Sequence, residues 1–548
     1  MGSFAACSHI GPAAPASPVG EGKAEGPVVP RLAPGARRLL LVMVDGLPVE
    51  LFESTLLQGG MPHLQELFAR RPTVISTALS TFPSSTSPSL PEMLSGRYAE
   101  VPDPDEPGMV HAFDREERRV VRYFTQPDAW QWSVPDLFTA AAAGGLPALT
   151  VAEGRWEGAE SVLTRGAVLR DAALEFMGVQ GPNGDRGPVE ELVRRIRGPQ
   201  PPVVILLVLN SVDLAGHLHG PDTVLARQAL EESDELLGKV IDALAGSIGG
   251  SGRRLLDDTT VLLFGDHGMV PSGTFLDLQP IFQARGLSTF DTGSLTQVAF
   301  RERLGSLWTR WPDVLLVGGG SNVTQIYFRR PSGAWQDGEE ASAREERRGA
   351  RSPASEAFAA ELVHVPGVAQ VLRNLPDGRI EIIAFGGRLA WVERRGEGHE
   401  RRFAYTVPAG AKEDPLDYLS DPATRPLVCR SGEEEQSCFR SRLEWQLATA
   451  AARFPGVVPL LHKALGEERF SGDLVVTALP GYSFLKGQEG DHGNFERVSM
   501  TTPFVANGPG VLPMEDVPLI RLVDVYPTAA VLLGADPLDP VLASLDGR

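Results

Sequence analysis

The stretch Arg38-Leu-Leu-Leu-Val-Met-Val44 is apolar after its first residue and leads directly into Asp45-Gly46. Such a run, without polar alternation, is typical of a parallel strand that is covered on both faces. Similar runs occupy residues 203–209, 260–264 and 474–479. Amphipathic helical patterns separate the runs, and the clearest pattern lies within residues 222–245. This alternation predicts an α/β fold with a mostly parallel central sheet and helices on both faces.

Composition along the chain predicts three regions. Residues 1–36 are rich in Pro, Ala and Gly and carry no periodic apolar face, so they predict a disordered leader. Residues 37–299 together with 466–548 form the predicted catalytic core. Residues 300–465 carry charged stretches and alternating strand signals, which predict an inserted, smaller α+β subdomain that forms one wall of a cleft.

The charge balance restricts the possible partners. The formal net charge of the 548-residue chain is −19, which excludes a general nucleic-acid binder because phosphate backbones would be repelled. A small anionic substrate remains compatible, since bound divalent metals reverse the charge locally. No run approaches the roughly 18 to 20 apolar residues of a transmembrane segment. The sequence does not indicate an oligomeric state.

The three cysteines leave the compartment open. Cys429 and Cys438 flank an acidic turn, where they are compatible with a local disulfide in an oxidising compartment or with two unpaired thiols. Phe4-Ala5-Ala6 before Cys7 weakly resembles a bacterial lipoprotein cleavage site, but the charged and apolar segments of a signal peptide are missing.

Acids and imidazoles follow the apolar runs. The carboxyl ends of parallel strands meet at one edge of a sheet, where ligands bind. The candidate ligands are Asp45, Asp213, His217, Asp266, His267 and His492. Taken alone, each is also compatible with a helix-capping acid or a structural histidine. Because four separate segments follow one scheme, the set indicates a metal centre, and carboxylate oxygen and imidazole nitrogen are both zinc ligands. His219 would point elsewhere in an extended segment and is left out.

The hydroxyl-rich segment 81–89 precedes a predicted helix at residues 90–94. Two metals about 3.5 to 4 Å apart suit displacement at phosphorus, which needs a nucleophile. A helix N-terminus supplies N–H donors to an anionic phosphoryl group. Thr81 and Thr86 are both candidates, and the alternative interpretation is a Ser/Thr/Pro-rich capping loop.

Taken together, these motifs resemble the alkaline phosphatase superfamily, and most closely its type I phosphodiesterase/nucleotide pyrophosphatase branch. The matching pieces are V-D-G at 44–46, T-S-P-S at 86–89, S-G at 95–96, D-L-A-G-H-L-H-G-P at 213–221, G-D-H-G at 265–268 and D-H-G at 491–493. Residues 300–465 have no recognised counterpart. Sulfatases fit poorly, because they carry Cys or Ser at the position of Thr86 and Arg at the position of Leu90.

The resemblance implies two zinc ions and a covalent mechanism. One zinc would be held by Asp45, Thr86, Asp266 and His267. The other would be held by Asp213, His217 and His492. Thr86 would attack phosphorus and form a phospho-threonine, which water then hydrolyses. The family places its nucleophile ten residues before the glycine of a Thr/Ser-Gly pair, so Gly96 selects Thr86 over Thr81.

The resemblance also implies substrate contacts and an activity. The Ser87 N–H and the Ser89 hydroxyl are expected to bind the phosphoryl group, although many relatives carry Asn at position 89. The expected function is a metal-dependent hydrolase of small phosphate esters, either phosphodiesters or nucleotide pyrophosphates. A phosphomonoesterase or phosphonate hydrolase using the same site, and a catalytically inactive binding member, are the alternatives. Relatives often act outside the cytoplasm, which slightly favours a periplasmic or extracellular location.

Overall fold

The computed structural model describes residues 37–99, 109–122, 135–151, 156–162, 184–292, 312–318, 322–329, 353–432, 438–465, 469–512 and 519–534. The predicted leader at 1–36 lies outside these residues. In chain order the described strands are β1 (Arg38–Val44), β2 (Thr73–Leu79), β3 (His111–Asp114), β4 (Arg119–Arg122), β5 (Ala148–Val151), β6 (Glu160–Ser161), β7 (Val204–Leu209), β8 (Thr259–Phe264), β9 (Val270–Pro271), β10 (Thr274–Phe275), β11 (Thr289–Asp291), β12 (Val314–Gly318), β13 (Val323–Phe328), β14 (Val368–Asn374), β15 (Ile380–Ala384), β16 (Arg388–Arg395), β17 (Arg402–Val407), β18 (Val428–Arg430), β19 (Arg440–Ser441), β20 (Leu474–Ala478), β21 (Tyr482–Ser483), β22 (Gly490–Asp491), β23 (Thr501–Asn507) and β24 (Ile520–Arg521). The described α-helices are α1 (Val49–Leu57), α2 (Pro62–Arg70), α3 (Thr86–Ser95), α4 (Leu137–Ala143), α5 (Arg186–Ile196), α6 (Ser211–His219), α7 (Val224–Gly246), α8 (Gln279–Gln283), α9 (Pro353–Leu362), α10 (Arg442–Ala448), α11 (Leu461–Leu465), α12 (Arg497–Met500) and α13 (Val525–Leu532).

The first sheet has eight strands in the order β24-β2-β23-β8-β1-β7-β5-β6. Strand β23 is antiparallel to its two neighbours, and every other neighbouring pair is parallel. Strand β1 lies inside the sheet between β8 and β7, and its residues after Arg38 are buried. The predicted α/β class, with a mostly parallel central sheet, is therefore confirmed.

Alternate residues of β1 enter the two layers on either side of the sheet, as expected for the two-residue period of a strand. Leu39, Leu41 and Met43 pack in the layer that contains α3, α4 and α13. The residues between them pack against α1, α2, α5 and α7. Each buried aliphatic side chain contributes on the order of 1.5 to 3 kcal/mol of burial free energy, so β1 stabilises both layers at once.

Helix α7 confirms the strongest helical pattern in the sequence. Its N-cap is Thr223, whose hydroxyl accepts from the Ala226 N–H. Inside the helix, the buried carboxylate of Asp234 accepts from the N–H groups of His63 and Leu64 at 2.9 and 3.0 Å. These donors belong to the free N-terminus of α2, so the acid satisfies them and holds α2 against α7.

The second sheet has ten strands, with β11-β12-β13-β20-β14-β15-β16-β17-β18 in order and β19 beside β17. The prediction for residues 474–479 was wrong in one respect. Strand β20 does not join the parallel sheet but lies between β13 and β14, antiparallel to both. A short buried strand has the same apolar run in either sheet, so its composition does not say which sheet it enters. The division at residues 300 and 465 stays a proposal, and this sheet takes strands from just outside both limits.

Two further observations concern the cysteine pair and membrane-spanning helices. Cys429 and Cys438 form a disulfide with an S–S distance of 2.02 Å, which decides between the two alternatives for this pair. In the described part of the chain, no helix combines the length and the apolar character needed to cross a bilayer.

Buried His462, in α11, predicts a pH dependence of stability. Burial, together with the charges of Arg394, Arg401 and Arg442, lowers the pKa of His462 from 6.5 to about 3. Below pH 6.5, His462 therefore becomes protonated in the unfolded chain but stays neutral in the folded chain. The free energy of unfolding should fall by about 2 kcal/mol between neutral pH and pH 5 through this group. Urea unfolding at pH 7 and pH 5, with the wild type and His462→Leu both in excess chelator, measures this loss of unfolding free energy. Equal losses in the two proteins would contradict the prediction.

Candidate metal centre

Three neighbouring strands deliver three acids to one edge of the first sheet. Asp45 follows β1, Asp266 comes two residues after β8, and Asp213 lies in the first turn of the helix after β7. The register pairs Val44 with Leu209, so the ends of β1 and β7 lie side by side. The parallel sheet therefore collects these carboxylates as the sequence predicted.

The segment with Asp213 and His217 is helical rather than extended. Helix α6 places the two side chains on one face because they are four residues apart. A Cβ at Gly216 would lie 2.4 Å from the sulfur of Met269, so a larger residue inside this helix would force the Met269 side chain to shift. His219 was left out on the assumption of an extended segment, but the segment is a helix. The helical spacing of four residues is what brings the imidazole of His217 to Asp213.

One group of side chains surrounds His267. Its Nε2 lies 3.4 Å from Asp45 Oδ1 and 3.4 Å from Asp266 Oδ2. The Thr86 hydroxyl lies 3.2 Å from Asp45 Oδ1 and 3.4 Å from His267 Nε2. All four residues are buried. The structure thus brings together the whole set that the resemblance assigned to one ion.

A second group lies beside the first. His217 Nε2 is 3.4 Å from Asp213 Oδ2 and 3.2 Å from His492 Nε2. The other oxygen of Asp213 lies 3.7 Å from His492 Nε2. The rings of His267 and His492 stack with centroids 3.9 Å apart, so the two groups are adjacent.

The three imidazoles are oriented by backbone carbonyls. His217 Nδ1 lies 3.0 Å from the Gly490 carbonyl, and His267 Nδ1 lies 3.0 Å from the Gly268 carbonyl. His492 Nδ1 lies 2.9 Å from the Ser84 carbonyl. A carbonyl only accepts, so each Nδ1 carries a proton, and a ring in its neutral form then presents the lone pair of Nε2. This arrangement is typical of metal-ligating histidines.

Local charges keep the candidate ligands in the forms that bind metal. Burial alone would raise the pKa of Asp213, but the positive charge that the nearby imidazoles carry when protonated, that of His217 first, outweighs it and holds this pKa below its usual value. Burial, followed by the neighbouring His267 ring, lowers the pKa of His492 well below its usual value. At neutral pH the carboxylate is charged and the imidazole is neutral, as divalent metals require.

Two carboxylate oxygens indicate whether these side chains suit a bound metal ion. Asp213 Oδ1 and Asp266 Oδ2 are buried and have no hydrogen-bond partner among the described residues. The other oxygen of Asp266 accepts from the N–H groups of Gly46 and His267 at 3.2 and 3.0 Å. A buried carboxylate oxygen without a hydrogen-bond donor lowers the stability of the fold. A bound cation would serve as the missing partner of each oxygen. The donor set therefore fits divalent metal ions.

Asp491 is a further acid beside the second group that the sequence motifs did not single out. Its ligand atoms lie within 4.8 Å of those of His217 and His492. Its carboxylate accepts from the Ser483 hydroxyl and, at 2.8 Å, from the His492 N–H. The signal was present in the sequence, because Asp491-His492-Gly493 repeats the pattern of Asp266-His267-Gly268.

Helix α3 begins at Thr86, four residues earlier than predicted. Ser85 is extended and precedes the first turn, where Pro88 is tolerated because its position needs no N–H donor. Thr86 therefore lies at the positive end of a buried ten-residue helix. The neighbouring Ser87 hydroxyl is buried and has no hydrogen-bond partner among the described residues.

The other two hydroxyls of the sequence analysis have different partners. Ser89 Oγ lies 3.3 Å from Ser80 Oγ, which in turn donates to the Asp266 carbonyl at 2.6 Å. The Ser89 proton is therefore used within the fold, and its expected contact to a phosphoryl group stays an untested prediction. The Thr81 hydroxyl accepts from Lys463 Nζ rather than facing the acids.

Comparisons with known proteins supply the family. None of the curated proteins compared with the chain matches its sequence. Two solved structures of murine ectonucleotide pyrophosphatase/phosphodiesterase 5 are similar to it at 13% identity and a TM-score of 0.48, covering 91% of this chain and 96% of that chain. One of them is an inactive variant in complex with AMP. The family model for type I phosphodiesterase / nucleotide pyrophosphatase matches residues 39–314, just over half of the chain. The chain therefore belongs to the type I phosphodiesterase/nucleotide pyrophosphatase family.

Proposed function

We propose that this protein is a two-metal hydrolase of phosphodiester or nucleotide pyrophosphate bonds and that Thr86 is its nucleophile. The observation that carries the proposal is the placement of one hydroxyl. Thr86 Oγ1 lies 3.2 Å from Asp45 Oδ1 at the N-terminus of α3, beside two groups of metal-ligand side chains. Family membership supports the bond type.

Two sets of side chains would hold the metals. One ion would bind Asp45, Thr86, Asp266 and His267. The other would bind Asp213, His217 and His492. These oxygen and imidazole donors suit zinc. When bound, two such ions lower the pKa of the nucleophile and neutralise charge on the phosphoryl oxygens and on the leaving oxygen.

The residues of the chain supply the rest of the reaction. Thr86 Oγ1 releases its proton to solvent and attacks phosphorus as the bond to the leaving oxygen breaks, and the leaving group takes up a proton from water. With a diester the product is a phospho-threonine that still carries the second ester group, and water then hydrolyses its bond to Thr86. The free N–H groups of the first turn of α3, including that of Ser87, favour an anionic phosphoryl group at this end of the helix. The unpartnered hydroxyl of Ser87 supports a further hydrogen bond to the substrate.

We also propose a periplasmic or extracellular location. The disulfide between Cys429 and Cys438 supports it, because such bonds persist in oxidising compartments and are rare in the cytosol.

Replacement of Thr86 tests the proposal. Hydrolysis of bis-p-nitrophenyl phosphate by Thr86→Ala should fall by about 10³-fold or more, because the covalent route is removed. Thr86→Ser, which keeps a hydroxyl, should retain measurable turnover. Acid quenching during turnover, followed by fragment mass spectrometry, should place a p-nitrophenyl phosphoryl group on Thr86, because only one of the two ester groups leaves in the first step.

Several outcomes would count against this assignment. Full activity in Thr86→Ala, or a p-nitrophenyl phosphoryl group on Thr81, would remove Thr86 from its role. A faster reaction with p-nitrophenyl phosphate than with the diester would favour the phosphomonoesterase alternative. Absence of turnover on every ester, in folded and metal-loaded protein, would favour the inactive binding member.

Metal removal provides an independent test. The purified protein should contain about two zinc ions per chain, and chelation should abolish hydrolysis until zinc is restored. His492→Gln should retain about one ion, because the Asp45 group is intact. Thermal unfolding should shift to lower temperature on chelation, since the metals bind only the folded chain. Calcium or manganese alone in the active protein would contradict the zinc assignment.

A further inference from the structure

A buried lysine, Lys463, contacts the nucleophile segment, which we define as residues 81–99 around Thr86. Lys463 is not one of the candidate metal ligands. The ammonium group of Lys463 forms an ion pair with Glu92 Oε1 and also donates to the Thr81 hydroxyl. The side chains of Lys463 and Glu92 are 3% and 1% exposed. Charged groups are rarely buried this completely unless they are paired, and a buried pair is sensitive to the geometry of its partners.

The two partners of Lys463 flank the proposed nucleophile. Thr81 follows β2 and begins the loop that leads to Thr86, while Glu92 lies near the end of α3. Glu92 Oε1 also accepts from the Ala99 N–H at 2.7 Å, beyond the helix. One ammonium group therefore connects the start of this segment, residues 81–99, to its end.

The middle of the segment is bound to the metal centre. The Ser84 carbonyl lies 2.9 Å from Nδ1 of His492, and the Ser84 hydroxyl lies 2.8 Å from that of Ser499. A displacement of the loop would thus move Thr86 relative to Asp45. A misplacement of about 1 Å is enough to reduce a reaction rate by two orders of magnitude.

Lys463 belongs to α11, which contacts β15 of the second sheet. Leu461, Ala464 and Leu465 share a core cluster with residues of β15, β16 and β17. Helix α10 makes a second contact from the same side, where Gln446 Nε2 donates to the Tyr98 hydroxyl at 2.8 Å. The position of the nucleophile segment is therefore determined by both sheets.

We propose that Lys463 is a positioning residue for the proposed hydrolase: through Glu92 and Thr81 it fixes segment 81–99 so that Thr86 faces the metal centre. The inference rests on the proposed function for its kinetic consequence. Its structural consequence, the rigidity of segment 81–99, does not depend on activity.

Two variants separate positioning from folding. Lys463→Met/Glu92→Gln removes both charges together, so no unpaired charge stays buried, and the side-chain amide introduced at position 92 can still accept from the Ala99 N–H. Thr81→Val removes one hydroxyl and leaves the ion pair intact, and Thr81→Ser restores the hydroxyl. Lys239→Met, which replaces an exposed lysine on α7, is the matched control.

Steady-state kinetics on bis-p-nitrophenyl phosphate give the first measurement. We expect kcat of the double variant to fall about 10- to 100-fold, with KM within about twofold and zinc content unchanged. Thr81→Val should show a smaller fall in kcat, and Thr81→Ser and Lys239→Met should resemble the wild type. If the double variant does not fold, Thr81→Val carries the test. A folded variant with wild-type kcat would overturn the inference.

Hydrogen exchange gives the second measurement and needs no turnover. Amides of residues 86–99 should exchange faster in the double variant, while those of α7 keep their protection. Unchanged exchange in segment 81–99 would overturn the inference even if the enzyme is active. Conversely, faster exchange in a protein that hydrolyses no ester would place the failure with the proposed function. If Thr81→Val loses activity as completely as Thr86→Ala, Thr81 would be the nucleophile. That result would overturn both the assignment of Thr86 and the positioning role of Lys463.

Discussion

The register between β1 and its neighbours β7 and β8 is the constraint on which the site depends. It aligns Val44 with Leu209 and Met43 with Phe264, so the three strands end together. At this edge the chain must turn tightly. Gly46 has a φ of +63°, and a Cβ there would lie 2.5 Å from Asp213 Oδ1. A shift by one residue would exchange the two faces of β1 and separate the acids, so the core and the site are set by the same pairing.

The candidate metal centre concentrates like charges that the fold alone does not compensate. Buried carboxylates repel one another, and two of their oxygens lack a hydrogen-bond donor among the described residues. In the metal-free protein, protonated imidazoles supply part of the compensation, since their positive charge lowers the pKa of Asp213. Divalent cations would supply the remainder, so metal binding is expected to stabilise the folded chain as well as to serve the reaction. The arrangement favours function over the stability of the metal-free protein.

Local patterns predicted the parts of the structure that depend on local chemistry. An apolar run followed by an acid was enough to place Asp45 and Asp266, because parallel strands bring such ends together. The start of α3 was missed because the Ser/Pro content of residues 84–88 resembles a loop. Strand β20 was assigned to the wrong sheet because its composition suits any buried strand. Lys463 could not be found from the sequence, because its role arises from contact with residues more than 350 positions away.

X-ray diffraction from crystals of the zinc-loaded protein, with anomalous data at the zinc edge, tests the central claim most directly. The account predicts two anomalous peaks about 3.5 to 4 Å apart, one touching Asp45 and Asp266 and the other touching Asp213 and His217. A single peak, or peaks away from these side chains, would contradict it.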